Sequence, residues 1–445
     1  MIKKIELIIL IIFITINSIF AQFPDTIKIK TKPVKGYGPF PKSLSILQEM
    51  SKDNPWIKTI PDIKGIPDNL EFMMFAFEQT DFFQHTYQSY YANKIDEKFY
   101  NSCKNSWNWR PSLSEYSRGF VKVDIAVVAG YDSIGLLKIK VDKNNNYDFS
   151  DDDYFTLPEK IPGQNFWERY TDLTPFEVSY EYYDGKAIKQ ARTWFYIDYS
   201  PTMYNSKIDK FNPINLVISF PQYHIGEFIV NGEKYFAAVI NDKPTFRMNS
   251  SIKIWKEGNS TENKNVMSGI LKNGFVKIED YYYRFDKVSV DGGIVTLVKD
   301  GSVLEKGGNQ IGFKAINFVG KSIDGKEIEL SKLKGNYVLL DFWGTWCAPC
   351  RDEIPKLKSV YEEFKDKNFV MIGIANDEIE DLNKYIDEHK INWEQIVQHN
   401  DKTIISEYGV VGYPTTFLID PDGIIISKNI RAIELSKKLS KIFKK

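Results

Sequence analysis

Two cysteines three positions apart, Cys347 and Cys350, stand where an apolar run gives way to an amphipathic one. The preceding Tyr337-Val338-Leu339-Leu340-Asp341-Phe342-Trp343 is aliphatic and aromatic and reads as a buried strand. From Ala348 to about Phe364 the apolar residues recur at helical spacing, so the pair falls on the first turn of a helix. There the unpaired N–H groups and the positive end of the macrodipole favour a thiolate. Such a pair can open and close a disulfide. Zinc uses the same spacing but needs two further ligands, whereas Cys103 is remote and His85, His224, His389 and His399 are scattered. The chemistry indicated is redox, and Cys103 is left as a buried structural thiol.

Two acids could move protons for this dithiol. Asp341 lies in the apolar strand, where an unpaired carboxylate is costly; burial raises its pKa and suits it to take the proton of Cys350. Glu353 follows Cys350 by three residues, on the same helix face. A second cluster runs from Asp142 to Asp153, with Asp142, Asn144, Asn146, Asp148, Ser150 and Asp153 offering oxygens. It resembles an EF-hand-like loop and implies a structural calcium. Tyr147 stands where Gly is expected, and Asp153 reaches less far than Glu. The competing reading is an acidic hairpin turn.

The run Leu340-Asp341-Phe342-Trp343-Gly344-Thr345-Trp346-Cys347-Ala348-Pro349-Cys350-Arg351-Asp352-Glu353-Ile354-Pro355 resembles the active site of thioredoxin-like proteins, nearest to the exported TlpA/ResA-type thiol–disulfide oxidoreductases. Gly412-Tyr413-Pro414-Thr415-Thr416-Phe417 resembles the family's cis-proline loop, and Gly320 to Gly335 fits its entry. The resemblance covers residues 311 to 445. It implies an exposed nucleophile at Cys347, a resolving thiol at Cys350, and Asp341 or Glu353 as proton acceptor. Trp346, Tyr413 and Pro414 would line the substrate groove, with Tyr413 larger than the residue usual there. No organic cofactor is implied. The partners implied are protein disulfides and an upstream dithiol donor.

Around these residues the elements read as strand (Glu327 to Leu330), strand, helix, strand (Phe369 to Ile374), helix (near Glu380 to Glu388), strand (near Thr416 to Ile419), strand (near Ile424 to Ser427) and a helix from Ala432. With the resemblance, this predicts an α/β thioredoxin-like domain over 313–445, a central mixed sheet flanked by helices, after a linker at 304–312. Residues 22–117 read as mixed helical and extended, with helices over Asn69 to Gln79 and Phe82 to about Asn101. Residues 118–303 read as β-rich and sandwich-like: runs such as Phe120 to Ile125, Leu136 to Val141, Asn215 to Phe220, Gly269 to Ile278 and Gly293 to Lys299 alternate between Asn/Asp/Gly turns. Tyrosine clusters there suit cross-strand packing.

At 445 residues the chain needs more than one core, and a formal charge of −1 gives no footprint for nucleic acid. Lys3 and Lys4 followed by an apolar run from Leu7 to Phe13 read as a signal peptide over 1–21, which predicts export to the periplasm or cell envelope and no membrane contact unless that segment is retained. Three cysteines exclude a disulfide scaffold. Two other functions stay open: a thiol peroxidase, and a binding protein with an auxiliary redox domain.

Overall fold

The computed structural model describes residues 23–443 except 51–53, 108, 160–162, 165, 167–173, 206–212, 248–249, 260–268, 302–306, 400 and 411. The signal peptide expected over 1–21 lies outside the described residues. Among those described, no helix is long and apolar enough to cross a membrane.

The C-terminal sheet runs in the order Glu394–Val397, Phe369–Ala375, Tyr337–Trp343, Thr415–Ile419, Ile425–Lys428. Its central strand, Tyr337–Trp343, is parallel to Phe369–Ala375 and antiparallel to Thr415–Ile419. A parallel pair needs a long crossover, here the helix Ala348–Phe364. Successive strand residues face opposite sides. Leu339 and Trp343 therefore share a core with that helix and the terminal helix Ala432–Phe443, while Val338, Leu340 and Phe342 pack with Ile372, Ile374 and Tyr408. Asp341 has the parity of Leu339 and Trp343, so strand period alone aims it at the dithiol helix. This is the thioredoxin-like arrangement. The edge strand Glu394–Val397 and the short helix Thr403–Glu407 are additions to the elements read from sequence.

The chain before it is β-rich, in two paired layers. Glu71–Gln79, Asp124–Tyr131 and Leu137–Val141 form one sheet. It shares a core through Ile125, Val127 and Ile139 with Val178, Phe195 and Ile218 of a second sheet, built from Ser45–Leu47, Leu216–Ser219, Ile188–Tyr199 and Phe176–Tyr183. Further on, the sheet of Thr26–Lys30, Ile294–Lys299, Tyr281–Val288 and Phe275–Ile278 packs Ile29, Phe285 and Leu297 against Val230, Val239 and Ile252 of the sheet that includes Lys32–Lys35, Gln222–Val230, Glu233–Ile240 and Ser251–Lys256. The first two strands thus pair with residues 222–299, and the pairing crosses the division read at 117/118.

Several local readings change. Asn69 to Gln79 is not helical: Glu71–Gln79 is a strand, because Phe75 and Phe77 suit a pleated surface and it pairs with Asp124–Tyr131, buried along its whole length; Phe72, at φ +49°, sits at an irregularity in that pairing. The single helix from Phe82 is two, Phe82–Tyr91 and Glu97–Ser106, each started by an aspartate (Asp81, Asp96) that accepts from Gln84 N and Phe99 N. The run from Phe120 becomes strand only at Asp124, and Gly269 to Ile278 is two short strands about a turn. Cys103 is buried in the second of these helices, and burial raises its thiol pKa. Near the linker, the Phe313 ring lies tilted 4.9 Å from that of Tyr282, while Asn309 Nδ2 donates to Tyr408 O at 3.0 Å.

Candidate active site

Cys347 is the N-cap of the helix Ala348–Phe364, with Pro349 in its first turn, where a missing N–H costs nothing. The Cys347 sulfur accepts from Cys350 N at 3.2 Å and is joined to the Cys350 sulfur in a disulfide. The sulfur thus sits at the helix start within reach of a helix N–H. Its exposure differs from the reading. Cys347 is 5% exposed and packs in the same core cluster as Cys350, Trp343 and Ile354, with its sulfur bonded to that of Cys350.

Trp346, like Ala348 and Pro349, is open; it is 58% exposed. Its Nε1 donates to Asn376 O at 2.9 Å, and its ring meets Tyr413 edge-on at 5.4 Å. Thr345 donates from N and Oγ1 to the Asp377 carboxylate at 2.8 and 2.7 Å, fixing the turn before the dithiol. Gly344 leaves room for the Trp346 indole: a Cβ there would meet its Nε1 at 2.6 Å and force the ring to shift. The Tyr413–Pro414 peptide is cis, and Tyr413 is half-buried.

The two acids have different surroundings. Asp341 is 2% exposed, its Oδ1 has no hydrogen-bond partner among the described residues, and burial pushes its pKa up to about 7, against the pull of Arg431 and with a push from Glu353. Burial also pushes Glu353 upward, but Lys356, the Ala432 N–H and Arg431 outweigh it and hold the carboxyl below its usual range. Lys356 Nζ donates to it at 2.8 Å and Ala432 N at 3.0 Å, so Glu353 is a charged tertiary cap on the terminal helix. Burial thus brings Asp341 close to neutrality, whereas Glu353 is held below the usual carboxylate range. A cleft with space for about one water touches Asp341, Cys350, Glu353, Pro414 and Arg431. Arg431, Asn376 and Asp377 were not among the residues read from sequence. Their only signal was position, after a strand or before a helix.

The Asp142 to Asp153 loop turns after the strand Leu137–Val141. Asp142 accepts from Asn146 N and Tyr147 N, Asn146 Oδ1 from Asp148 N, and Asp148 Oδ1 from Ser150 N, while the Asn144 and Asn146 amides donate to Asp151. The loop closes on itself, with the Asn144 and Asn146 amides meeting at the Asp151 carboxylate. Among the described residues, no group of three or more His, Cys, Asp or Glu is placed to hold a metal ion.

A disulfide at the start of the helix that follows the central strand, with a cis-proline loop beside the site, defines a thioredoxin-like thiol–disulfide oxidoreductase, an enzyme. A family model described as AhpC/TSA family matches residues 311–428. The chain is 36% identical over 142 residues to the thiol-disulfide oxidoreductase ResA of Bacillus thuringiensis (strain Al Hakam), covering 32% of this chain and 82% of that one. It is 38% identical over 117 residues to ResA of Bacillus subtilis (strain 168), covering 26% and 64%. Among solved structures, the thioredoxin domain of a thiol-disulfide oxidoreductase from Bacteroides vulgatus is 38% identical, with 30% of this chain and 97% of that one covered and a TM-score of 0.29. Through its C-terminal third, the chain belongs to the ResA thiol–disulfide oxidoreductase family.

Proposed function

We propose that this protein reduces disulfides of other proteins outside the cytoplasm, with residues 313–445 as the redox unit and residues 22–303 positioning it or selecting its partners. In the reduced enzyme the Cys347 thiolate attacks a substrate disulfide. One sulfur bond forms, the substrate bond breaks, and one substrate thiolate leaves. Cys350 gives its proton to Asp341, attacks Cys347 in the mixed disulfide and releases the second substrate thiolate. The enzyme is left with the Cys347–Cys350 disulfide, and a partner dithiol returns the two electrons. Trp346, Tyr413 and Pro414 hold the substrate segment, the exposed indole supplying apolar contact. Nothing in this cycle uses calcium.

The observation that carries this reading is the unpaired, buried oxygen of Asp341 in the cleft that Cys350 lines. Cys347→Ser is expected to abolish insulin-disulfide reduction by the full chain, and Cys350→Ser to accumulate mixed disulfides. Full activity in both variants would overturn the assignment. Peroxide consumption exceeding disulfide reduction would favour a peroxidase instead, but a Cys350 bonded to Cys347 three residues away suits dithiol exchange better. Export rests on Lys3, Lys4 and the apolar run after them; recovery of the intact chain in the cytoplasmic fraction would remove it.

A further inference from the structure

Arg431 is oddly placed for a residue concerned only with helix stability. Its carbonyl accepts from Leu435 N at 2.8 Å, which puts it at the start of the terminal helix, the end where the macrodipole disfavours a cation. The guanidinium is turned back toward the dithiol site. Nη1 donates to the carbonyl of Pro414 at 3.2 Å, across 17 residues, and the side chain lines the cleft shared by Cys350, Asp341 and Glu353. The next residue, Ala432, donates its N–H to Glu353 at 3.0 Å. One short segment therefore touches the cis-proline loop and the acid on the dithiol helix at once.

We propose that Arg431 is a positioning residue of the dithiol site: it braces the cis-proline loop over the cleft and supplies the cation that the buried Asp341 faces. This rests on Asp341 being the acid that serves Cys350. The surroundings of Asp341 leave little else to do that. Its strand neighbours are Gly373 on one side and Thr416 on the other, both uncharged. The dithiol helix presents Cys350 and Glu353, and Glu353 is tied to Lys356. The terminal helix presents Arg431. Asp341 thus meets one negative and one positive group, acting in opposite directions. Because Arg431 is exposed, its replacement leaves the packed core untouched.

The test is the pH profile of kcat/KM for insulin-disulfide reduction by the full chain. Arg431→Gln is expected to move the midpoint to higher pH by about 0.5–1 pH unit, Arg431→Lys to return it toward the parent, and Glu353→Gln to move it the other way. A bracing role without the charge would lower the melting temperature or the plateau rate and leave the midpoint in place. An Arg431→Gln profile that superimposes on the parent overturns the inference. Asp341→Asn separates this from the reading beneath it. If that variant still titrates at the parent midpoint, the Asp341 assignment itself falls; if it does not, and Arg431→Gln is unshifted, only the role of Arg431 falls.

Discussion

Asp341 is a carboxyl that the fold stabilises in its neutral form. Its pKa stands near 7 in the folded chain against 3.8 in the open one, and the cause is burial. The folded state therefore holds a proton that the unfolded chain gives up. The stability this group contributes is complete below about pH 3.8 and is lost as pH rises through 7. Asp341→Asn, which cannot ionise, is expected to melt above the parent at pH 8 and close to it at pH 4, by an amount on the order of 4 kcal/mol at most. Equal shifts at the two pH values, read by circular dichroism, would remove the argument. The same variant should slow disulfide exchange by roughly 10²-fold, since the proton acceptor is gone. More stable and slower together mark an acid kept for chemistry at the expense of stability. This residue was legible in the sequence, because a single acid among Leu, Phe and Trp has few innocent explanations. The capping role of Glu353 was not, because its partner Ala432 lies 79 residues away.

At the scale of elements, the dithiol helix and its strand follow from local pattern. Apolar period, Pro349 in the first turn and the two cysteines define Ala348–Phe364, and a continuous apolar run defines Tyr337–Trp343. Glu71–Gln79 fails the same approach: Met, Ala and Glu favour a helix locally, and only the buried strand Asp124–Tyr131, some fifty residues on, decides otherwise. Within the redox sheet, Gly373 shows how closely elements constrain each other. It lies opposite Asp341, and a Cβ there would run into the Gln395 amide, whose oxygen accepts from Trp343 Nε1 at 3.0 Å. Gln395 is 1% exposed and has no open space to retreat into. Gly373→Ala is expected to cost about 1–3 kcal/mol in urea unfolding and to weaken the Trp343 hydrogen bond. An unchanged midpoint would mean that Gln395 can repack without that bond.

For the whole molecule, the question is whether the β-rich part and the redox part act as one body. The residues around the expected linker bear on this directly. Gly312 N donates to Ile425 O at 2.8 Å and Ile425 N to Phe313 O at 2.9 Å, so this stretch extends the edge of the redox sheet. The Phe313 side chain points the other way, 6% exposed and 4.9 Å from Tyr282, which belongs to the last hairpin of the β-rich part. Lys428 Nζ also reaches back to Asn309 O at 3.2 Å. Phe313 is thus a buried apolar contact between the redox sheet and that hairpin, and a route by which unfolding on one side is expected to be felt on the other. Phe313→Ala keeps the backbone pairing and deletes the ring, at a cost of about 3–5 kcal/mol if the site does not collapse. Loss of that contact is expected to split a single calorimetric transition into two, with insulin-disulfide reduction retained at ambient temperature because the dithiol, Asp341 and Pro414 all lie within one sheet and its helices. Were the variant to unfold in one transition at a lower temperature, the coupling would run through other residues, and the β-rich part would position the dithiol by a broader contact than this ring.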